Sequence, residues 1–410
     1  MAENLRGDNR FGGLPDYPFT RLRALLGDTP PGQAPIVLSI GEPQHPYPRF
    51  VAETLERHAA DYGKYPPMEG TAEFREAVAA WLTRRYGLPS GALDPAAHVI
   101  ALNGTREGLF SACLALVPER KNGARPAVLI PNPFYQCYAG AAVAAGAEPV
   151  YVPALRENRF LPDFAALPPA LLARTAAVYL CSPTNPQGTC ATLEDWKALI
   201  ALARTHGFVL FADECYAEIY DKTPPAGALQ AAQALGGFDN VLVFHSLSKR
   251  SNLPGLRSGF AAGDAALIKT FLAMRQYGGA PSPLPVLAAA AAAWREESHV
   301  EENRARYRLK FDRAEEILSN RFGFYRPDGG FYLWLDVGDG EAAAAKLWRE
   351  AGVRVLPGRY LAKSGIWQDG NFTESANTLA PSPADAFIRA ALVADEETTA
   401  TALRRIAECL

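Results

Sequence analysis

The fold is decided by a short pattern that is clearest at residues 241–249, VLVFHSLSK. Four apolar residues form a continuous run, and polar residues follow it directly. Continuous rather than alternating hydrophobicity is typical of strands that are covered on both faces. The middle of the chain carries five more such runs: His98–Leu102, Ala127–Ile130, Ala176–Leu180, Phe208–Phe211 and Ser258–Ala261. With Val241–Phe244 they predict six buried strands.

Longer segments of helical periodicity separate these runs. They include Thr105–Leu116, Gln136–Ala145 and Leu193–Thr205. Strands that alternate with helices predict a mostly parallel α/β sheet. Sheets of this kind bind ligands outside the carboxyl ends of their strands. The residues that follow each run are therefore the candidates for a functional site.

Polar and aromatic residues follow five of the six runs. The five segments are Asn103–Arg106, Asn132–Tyr135, Ser182–Asn185, Ala212–Tyr216 and Ser246–Lys249. Because the carboxyl ends of parallel strands meet at one edge of a sheet, we expect these segments to surround a single ligand.

The C-terminal part of the chain has a different pattern. A charged segment from about 295 to 320 has helical periodicity, and residues 329–336 alternate like a half-buried strand. Residues 352–358 and Val37–Ile40 are further short apolar stretches. We expect a large domain at 45–290 and a smaller α+β domain at 291–410, with residues 1–44 packed on the smaller one.

The bulk composition excludes several classes of protein. The chain has 410 residues, a net charge of −3 and a pI of about 6.1, unlike the basic surface of a nucleic-acid-binding protein. Its cysteines form no CxxC pair and its histidines no HExxH pair, so we expect reduced thiols and no metal site. Residues 1–10 lack the apolar stretch of a secretory signal, and Leu284–Trp294 is too short to span a bilayer. We expect a cytoplasmic protein.

The polar strand ends match the requirements of pyridoxal phosphate (PLP). This cofactor needs a lysine for its aldehyde, a carboxylate for its pyridine nitrogen, and phosphate donors at a helix N-terminus beside a cation. Lys249 and Asp213 follow two of the apolar runs and meet the first two needs. The segments Gly104–Arg106 and Ser246–Arg257 supply hydroxyl and guanidinium groups for a phosphate.

Each of these residues alone also has an ordinary structural interpretation. Asp213 could cap a helix, Asn185 could belong to a turn, and Tyr135 could pack in the core. A Ser-x-Ser-Lys segment is by itself more often found at a protein surface. Their joint order at the strand ends favours the cofactor site.

Three motifs carry a resemblance to a known family. They are residues 182–189, SPTNPQGT; residues 213–216, DECY; and residues 246–259, SLSKRSNLPGLRSG. The sequence resembles the class I/II aminotransferases, which are fold-type I PLP enzymes, over nearly its whole length. The resemblance implies a large domain with a mostly parallel mixed sheet flanked by helices, a smaller α+β domain, and PLP as the cofactor.

The resemblance also implies roles for individual residues in binding the cofactor. Lys249 holds the aldehyde as a Schiff base and moves the substrate proton, while Asp213 pairs with the pyridine nitrogen. Asn185 and Tyr216 hydrogen-bond the phenolic oxygen, and Tyr135 stacks on the ring. The residues implied around the phosphate are Gly104, Thr105, Arg106, Ser246, Ser248 and Arg257.

Substrate binding and assembly are implied in the same way. Arg389 matches the arginine that binds the substrate α-carboxylate, with Asn185 and the backbone of Gly41 beside it. Tyr65 matches a tyrosine that reaches the phosphate in the partner subunit. The active unit implied is therefore a homodimer with shared active sites, whose partners are small-molecule substrates rather than nucleic acid or membrane.

A finer resemblance is to the N-succinyldiaminopimelate aminotransferases of lysine biosynthesis. It is carried by residues 16–23, DYPFTRLR; 41–46, GEPQHP; 248–257, SKRSNLPGLR; and 355–361, VLPGRYL. It implies transfer of an amino group from glutamate to N-succinyl-2-amino-6-oxopimelate, which gives N-succinyl-LL-diaminopimelate. Candidate cations for the distal acid groups are Arg21, Arg23 and Arg359. Residues 371–384 depart from the family pattern.

Other functions stay open at this point. One is a class I aminotransferase with an aspartate, alanine or aromatic acceptor, and another is a PLP carbon–sulfur lyase. A regulator with a degenerate aminotransferase domain is disfavoured, because the set of site residues is complete and no basic helix-turn-helix pattern precedes Gly41. A nicotinamide dehydrogenase is disfavoured because no GxGxxG follows a candidate strand.

Overall fold

The structure, a computed structural model, describes residues 11, 12, 14, 16–368, 371–374 and 382–410. The strands within these residues are β1 (Ile36–Val37), β2 (Val99–Leu102), β3 (Ala127–Asn132), β4 (Glu148–Pro153), β5 (Thr175–Cys181), β6 (Val209–Asp213), β7 (Val241–Ser246), β8 (Gly259–Gly263), β9 (Tyr332–Asp336), β10 (Val353–Arg354), β11 (Leu356–Pro357), β12 (Gly365–Gln368), β13 (Asn371–Glu374) and β14 (Phe387–Ala391). The α-helices are α1 (Pro18–Leu26), α2 (Arg49–Arg57), α3 (Ala72–Tyr86), α4 (Pro95–His98), α5 (Thr105–Leu116), α6 (Gln136–Ala144), α7 (Pro169–Arg174), α8 (Leu193–His206), α9 (Ala228–Ala234), α10 (Leu247–Arg250), α11 (Ala265–Gly278), α12 (Leu284–Arg295), α13 (Ser298–Leu318), α14 (Gly340–Lys346) and α15 (Glu396–Cys409).

Seven strands form the central sheet in the order β2-β8-β7-β6-β5-β3-β4. The pairs from β7 to β4 are all parallel, and β8 runs antiparallel to both of its neighbours. The predicted mostly parallel sheet is therefore confirmed, with all six predicted strands in it. The apolar pattern missed β4 at the edge of the sheet, because Glu148, Pro149 and Pro153 interrupt its hydrophobic run.

The continuous apolar runs are buried on both faces of the sheet. In β7, Val241 and Val243 pack into one core, while Leu242 and Phe244 pack into the core on the opposite face. Helices α3, α8, α9 and α12 contribute to the first core, and α5, α6 and α11 contribute to the second. A strand without a solvent-facing side has no reason to alternate polar and apolar residues.

Local signals set the starts of the predicted helices. Gly104 precedes α5 with a φ of 85°, a conformation that suits glycine. Helix α8 begins with a capping box, in which Thr192 and Asp195 each accept a backbone N–H of the other, and it ends at Gly207. The helices predicted to begin at Thr105, Gln136 and Leu193 do begin there.

A smaller antiparallel sheet has the order β11-β14-β9 and packs against α13, α14 and α15. The prediction of a half-buried strand at residues 329–336 is wrong in its burial, since Tyr332–Leu335 are all buried. Leu333 and Leu335 face those helices, whereas Tyr332 and Trp334 pack into clusters on the other side. Both faces of this strand are covered.

The N-terminal segment joins the smaller sheet region through β1, which pairs in parallel with β10. The strand predicted at Val37–Ile40 instead ends at Val37. Beyond it, the carbonyl groups of Ser39 and Gly41 accept hydrogen bonds from side chains of the candidate site rather than from a strand. The three-part division of the chain into domains stays a prediction.

Within the described residues, no helix is both long and apolar enough to cross a membrane. All six cysteines are unpaired.

Candidate active site

A cavity of about 210 Å³ lies at the carboxyl edge of the central sheet. It collects residues from five strand ends, as the sequence predicts. Nine of the predicted site residues line it: Gly41, Thr105, Arg106, Tyr135, Asn185, Asp213, Tyr216, Lys249 and Arg389. Of the other predicted residues, Gly104 and Arg257 lie in the adjoining loops, Ser246 ends β7 and Ser248 lies in α10, whereas Tyr65 is elsewhere on the surface.

Lys249 lies in α10, directly after β7, and its Nζ donates a hydrogen bond to the carbonyl oxygen of Gly41. The Nζ also lies 5.4 Å from the centre of the Phe331 ring. Burial lowers the pKa of Lys249 to about 8, and the positive charges of Arg389 and Arg106 act in the same direction. A lysine with this pKa is partly neutral near physiological pH, as a nucleophile or a base must be.

Asp213 ends β6 and is only 5% exposed. Its carboxylate accepts a 2.7 Å hydrogen bond from the hydroxyl of Tyr138 and a 3.3 Å hydrogen bond from the backbone N–H of Cys215. Burial raises its pKa. No helix begins at this residue, so the helix-cap interpretation is wrong. A buried carboxylate needs a positively charged partner, and it lines the cavity where a cationic ring nitrogen can supply one.

Arg389 projects from β14 and connects several parts of the site. Its guanidinium group donates to Asn185 Oδ1 at 3.0 Å and to the carbonyl oxygen of Ser39 at 2.9 Å. It lies 4.3 Å above the ring of Tyr332. Because Arg389 has a neutral amide and a carbonyl as these partners, its charge stays available for an anionic substrate group.

Tyr332 and the backbone of Gly41 approach each other closely at the cavity. The Tyr332 hydroxyl lies 3.2 Å from the hydroxyl of Tyr216, so the two rings form one wall of the cavity. A Cβ atom on Gly41 would collide with the Tyr332 hydroxyl. Glycine at position 41 therefore allows the backbone to approach the cavity closely, which fits the predicted backbone contact with a carboxylate.

The loops at the other end of the cavity form a donor set for a phosphate. Helix α5 begins at Thr105, and its first N–H groups are free of helical partners. The Arg257 guanidinium group donates to the carbonyl oxygen of Asn103 at 3.2 Å and is exposed. A Cβ atom on Gly104 would collide with this guanidinium group, so glycine lets the cation reach the helix start.

Ser246 and Ser248, on either side of the first residue of α10, are buried and hydrogen-bonded to each other. Ser246 Oγ lies 2.8 Å from Ser248 Oγ and also accepts the backbone N–H of Ser248 at 3.0 Å. This arrangement fixes the start of α10, the helix that carries Lys249. Thr105 Oγ1 lies 2.9 Å from the thiol of Cys215. This contact connects the start of α5 to the segment that follows Asp213.

Arg106 and Tyr135 form the outer wall of the cavity. The Nε of Arg106 donates to the Tyr135 hydroxyl, and its Nη2 lies 3.4 Å from the hydroxyl of Tyr17. The ring of Tyr135 meets the ring of Tyr138 edge to face at 5.6 Å. The roles of Tyr135 in stacking and of Arg106 in phosphate binding stay predictions.

Sequence reasoning gave no site role to three residues that shape the cavity: Tyr17, Tyr138 and Tyr332. Tyr138 follows Tyr135 at helical spacing, which is the one sequence signal that could have indicated it. Of the cations suggested for distal acid groups, Arg359 is bound to Asp385 through two 2.7 Å hydrogen bonds. Asp385 therefore neutralises Arg359, which disfavours it for that role.

A family model for aminotransferase class I and II matches residues 34–372 of this chain. The chain belongs to the class I and II aminotransferases. It is therefore a PLP-dependent aminotransferase with the fold-type I architecture, as its motifs predict.

Three relatives illustrate the similarity of this aminotransferase to known proteins. An aminotransferase structure from Neisseria meningitidis Z2491 is 39% identical with a TM-score of 0.90, covering 98% of this chain and 99% of that one. The LL-diaminopimelate aminotransferase of Aquifex aeolicus (strain VF5) is 33% identical over 87% of this chain and 92% of its own length. A probable N-succinyldiaminopimelate aminotransferase structure from Thermus thermophilus is 26% identical, with a TM-score of 0.81 over 96% of this chain and 100% of that one.

The residues of this aminotransferase fit PLP. The buried Asp213 lacks a salt bridge to any described residue, which suits a protonated ring nitrogen. Lys249 offers a partly neutral amine at the same cavity. The start of α5 and Arg257 offer an anion site at its end, next to a glycine that leaves room for them.

Proposed function

We propose that this aminotransferase moves an amino group from glutamate to N-succinyl-2-amino-6-oxopimelate, which gives N-succinyl-LL-diaminopimelate. The observation that carries the proposal is the guanidinium group of Arg389 in this cavity. Its described hydrogen bonds go to neutral oxygen atoms of Asn185 and Ser39, so its charge is available for the α-carboxylate of a substrate. The diaminopimelate substrates in the names of two relatives support the same substrate class.

Lys249 is the proposed general base. Bound PLP withdraws electrons from the substrate's α-carbon and so makes the α-proton acidic. The amine of Lys249 takes that proton and returns it to the opposite end of the reacting system. Its pKa of about 8 is close to a neutral working pH, where proton transfer by a side chain is most efficient. The hydrogen bond to the carbonyl oxygen of Gly41 holds the amine at the cavity.

Asp213 is proposed to keep the ring nitrogen protonated. Its burial makes a charged carboxylate costly unless a cation pairs with it, so pairing with the ring nitrogen lowers the energy of both charges. The hydroxyl of Tyr138 keeps the carboxylate oriented.

Asn185 and Tyr216 are proposed to bind the phenolic oxygen of the cofactor. The Asn185 side chain accepts from Arg389 through its oxygen, which leaves its amide nitrogen as a donor. Arg389 then binds the substrate α-carboxylate while it orients Asn185. Substrate binding and cofactor binding are thereby connected through one hydrogen bond.

Phosphate binding is proposed for the loops at the start of α5 and after β7. The residues are Gly104, Thr105, Arg106, Ser246, Ser248 and Arg257. Tyr135 is proposed to stack on the cofactor ring.

The active unit is proposed to be a homodimer in which Tyr65 reaches the partner's phosphate site. Tyr65 is fully exposed on the single chain, at 101% of its reference area. Tyrosine is enriched at protein interfaces, and this uncovered side chain is available to contact a partner subunit.

The substrate is tested by half-reactions. The holoenzyme is first converted with glutamate to the amino form of the cofactor, which is seen in its absorbance spectrum. Single oxo acids are then added, and the rate at which the original spectrum returns is measured. The panel contains the succinylated oxo acid, the same acid without the succinyl group, oxaloacetate, pyruvate and an arylpyruvate. The proposal predicts the fastest return with the succinylated acid.

A second candidate substrate is diaminopimelate without the succinyl group. The name of the Aquifex relative, which covers most of this chain, favours it. In that case the acid without the succinyl group returns the spectrum fastest. Fast return only with oxaloacetate, pyruvate or the arylpyruvate would contradict both candidates and leave the family assignment intact. A carbon–sulfur lyase would instead release a thiol from an S-substituted cysteine.

A further inference from the structure

A second cavity of about 250 Å³ lies beside the first. Phe19 and Ile40 line both cavities, so the two share a wall. The second cavity also has two guanidinium groups at its lining, those of Arg23 and Arg354, and no carboxylate among the described residues that line it. Its charge is therefore positive, and nothing in the lining balances it.

Two residues that line this cavity each have a buried polar atom without a hydrogen-bond partner. The hydroxyl of Ser39, a residue that is 1% exposed, has no hydrogen bond in the structure. The Nε of Arg354 is buried and unpaired as well. A buried polar atom without a partner costs about 1–3 kcal/mol, so a group that bonded to either atom would recover that energy. Two guanidinium groups and a hydroxyl are donors of the kind that bind a carboxylate.

Ser39 connects the second cavity to the substrate site. Its carbonyl oxygen accepts the hydrogen bond from Arg389, and the same residue also lines the second cavity. The backbone of Arg354 is fixed next to the same segment, since its carbonyl oxygen accepts the N–H of Leu38 at 2.8 Å. The guanidinium group of Arg354 lies 5.7 Å from the centre of the Trp348 ring, which limits where it can move. The backbone of Arg354 is thus bonded to Leu38, the residue before Ser39, whose carbonyl oxygen contacts Arg389.

We propose that Arg23, Arg354 and Ser39 form a carboxylate subsite that receives the far carboxylate of an extended substrate. The α-carboxylate of that substrate binds Arg389, and its chain passes Phe19 and Ile40. The subsite rests on the proposed function, because an N-succinyl group carries such a carboxylate whereas glutamate does not extend that far. Arg354 is then a specificity residue for the acceptor and not for the donor.

Binding to the holoenzyme tests the subsite without turnover. The probes are N-succinyl-2-aminopimelate and N-acetyl-2-aminopimelate, which lack a reactive amino group and differ in the acyl carboxylate. Titration calorimetry is expected to show at least about tenfold tighter binding of the succinyl probe, the usual gain from a charge-assisted pair. The difference should vanish in Arg354→Gln, return in part in Arg354→Lys, and persist in Arg349→Gln. Arg349 is a matched control, because it is exposed and paired with Glu350 outside both cavities.

Steady-state rates give the second readout. Arg354→Gln is expected to raise KM for the succinylated oxo acid at least about tenfold, with kcat and the glutamate half-reaction near wild-type values. An equal preference for the succinyl probe in wild type and Arg354→Gln would overturn the subsite, even if the succinylated acid is the substrate. An Arg354-dependent preference together with a different acceptor would sustain the subsite and refute the proposed function.

Free succinate tests whether the carboxylate that binds this cavity belongs to the substrate or to a separate effector. The subsite predicts that succinate competes with the succinyl probe and with the succinylated oxo acid. Succinate that binds in an Arg354-dependent way but changes the rate without competing with the oxo acid would assign the cavity to a separate effector, which would overturn the proposal.

Discussion

The hydroxyl group of Tyr138 donates a 2.7 Å hydrogen bond to the carboxylate of Asp213, and both residues are buried. The ring of Tyr138 is stacked on the ring of Tyr179 at 4.4 Å, which fixes its position. Burial raises the pKa of Asp213, and the hydrogen bond from Tyr138 opposes that change. The pair therefore keeps a carboxylate in the place where the cofactor needs a negative charge.

Replacing Tyr138 with phenylalanine tests this relationship. A hydrogen bond to a charged group contributes about 1.5–3 kcal/mol, so we expect Tyr138→Phe to weaken PLP binding or lower kcat about tenfold or more. Cofactor titration by absorbance and steady-state rates measure the two effects. Tyr179→Phe is the matched control, because the Tyr179 hydroxyl donates to the carbonyl oxygen of Leu109 and not to the site. Equal cofactor affinity and equal rates in wild type and Tyr138→Phe would refute the role.

The strand ends could be predicted from the sequence, because buried parallel strands have continuous apolar runs and must end at one edge. The residues at those ends, such as Lys249 and Asp213, followed from the same pattern together with the family resemblance. Tyr138 could not be predicted in this way. It is 75 residues from Asp213 in sequence, and only the packing of α6 on the sheet brings the two together.

Contacts of the small sheet with other parts of the chain could not be predicted from the sequence either. Tyr332 has an apolar pattern around it that indicates a strand, but its hydroxyl meets Tyr216 only in the folded chain. The pairing of Arg359 with Asp385 also depends on tertiary structure, since 26 residues separate them. Sequence patterns report periodicity, whereas these contacts depend on how the elements pack.

The lowered pKa of Lys249 predicts how fast the apoenzyme takes up PLP at different pH values. The neutral amine attacks the cofactor aldehyde, and burial brings the pKa of Lys249 to about 8. The uptake rate should therefore rise with pH, reach half its maximum near pH 8 and level off above it. Stopped-flow absorbance measures this rate. A rate that keeps rising to about pH 10, the usual range for lysine, would show that the amine is not perturbed.

A buried lysine outside the cavity predicts a pH dependence of stability. Lys310 in α13 donates to the carbonyl oxygen of Leu392 at 2.9 Å, and its Nζ lies 2.6 Å from His45 Nε2. Burial lowers the pKa of Lys310 to about 7. Between that pH and the unfolded pKa of about 10.4, the unfolded chain binds more protons than the folded one. Stability should therefore rise with pH across this window, by a few kcal/mol at most.

Lys310→Met removes the titrating group and should remove that rise. Denaturant unfolding of wild type and Lys310→Met at several pH values between about 7 and 10 measures the difference between their free energies of unfolding. Lys269→Met, at an exposed position of α11, serves as the control. A difference between wild type and Lys310→Met that does not change with pH would contradict the lowered pKa.

The proposed homodimer predicts complementation between two damaged chains. Lys249→Ala lacks the cofactor lysine, and Tyr65→Ala lacks the residue that would reach the partner's site. In a mixed dimer, the site that keeps Lys249 receives Tyr65 from the other chain and is complete. Random reassociation should restore about one quarter of wild-type sites. Activity no higher than the sum of the two separate variants would show that Tyr65 does not cross the interface.

The most direct test of the whole account is to find which lysine bonds to the cofactor. Borohydride reduces the bond between the PLP aldehyde and the lysine amine and makes it permanent, and peptide mass spectrometry then locates the adduct. We predict the phosphopyridoxyl mass on the peptide that contains Lys249, and neither adduct nor turnover in Lys249→Ala. An adduct on another lysine, such as Lys310, or turnover that survives in Lys249→Ala, would contradict the assignment of this cavity as the active site.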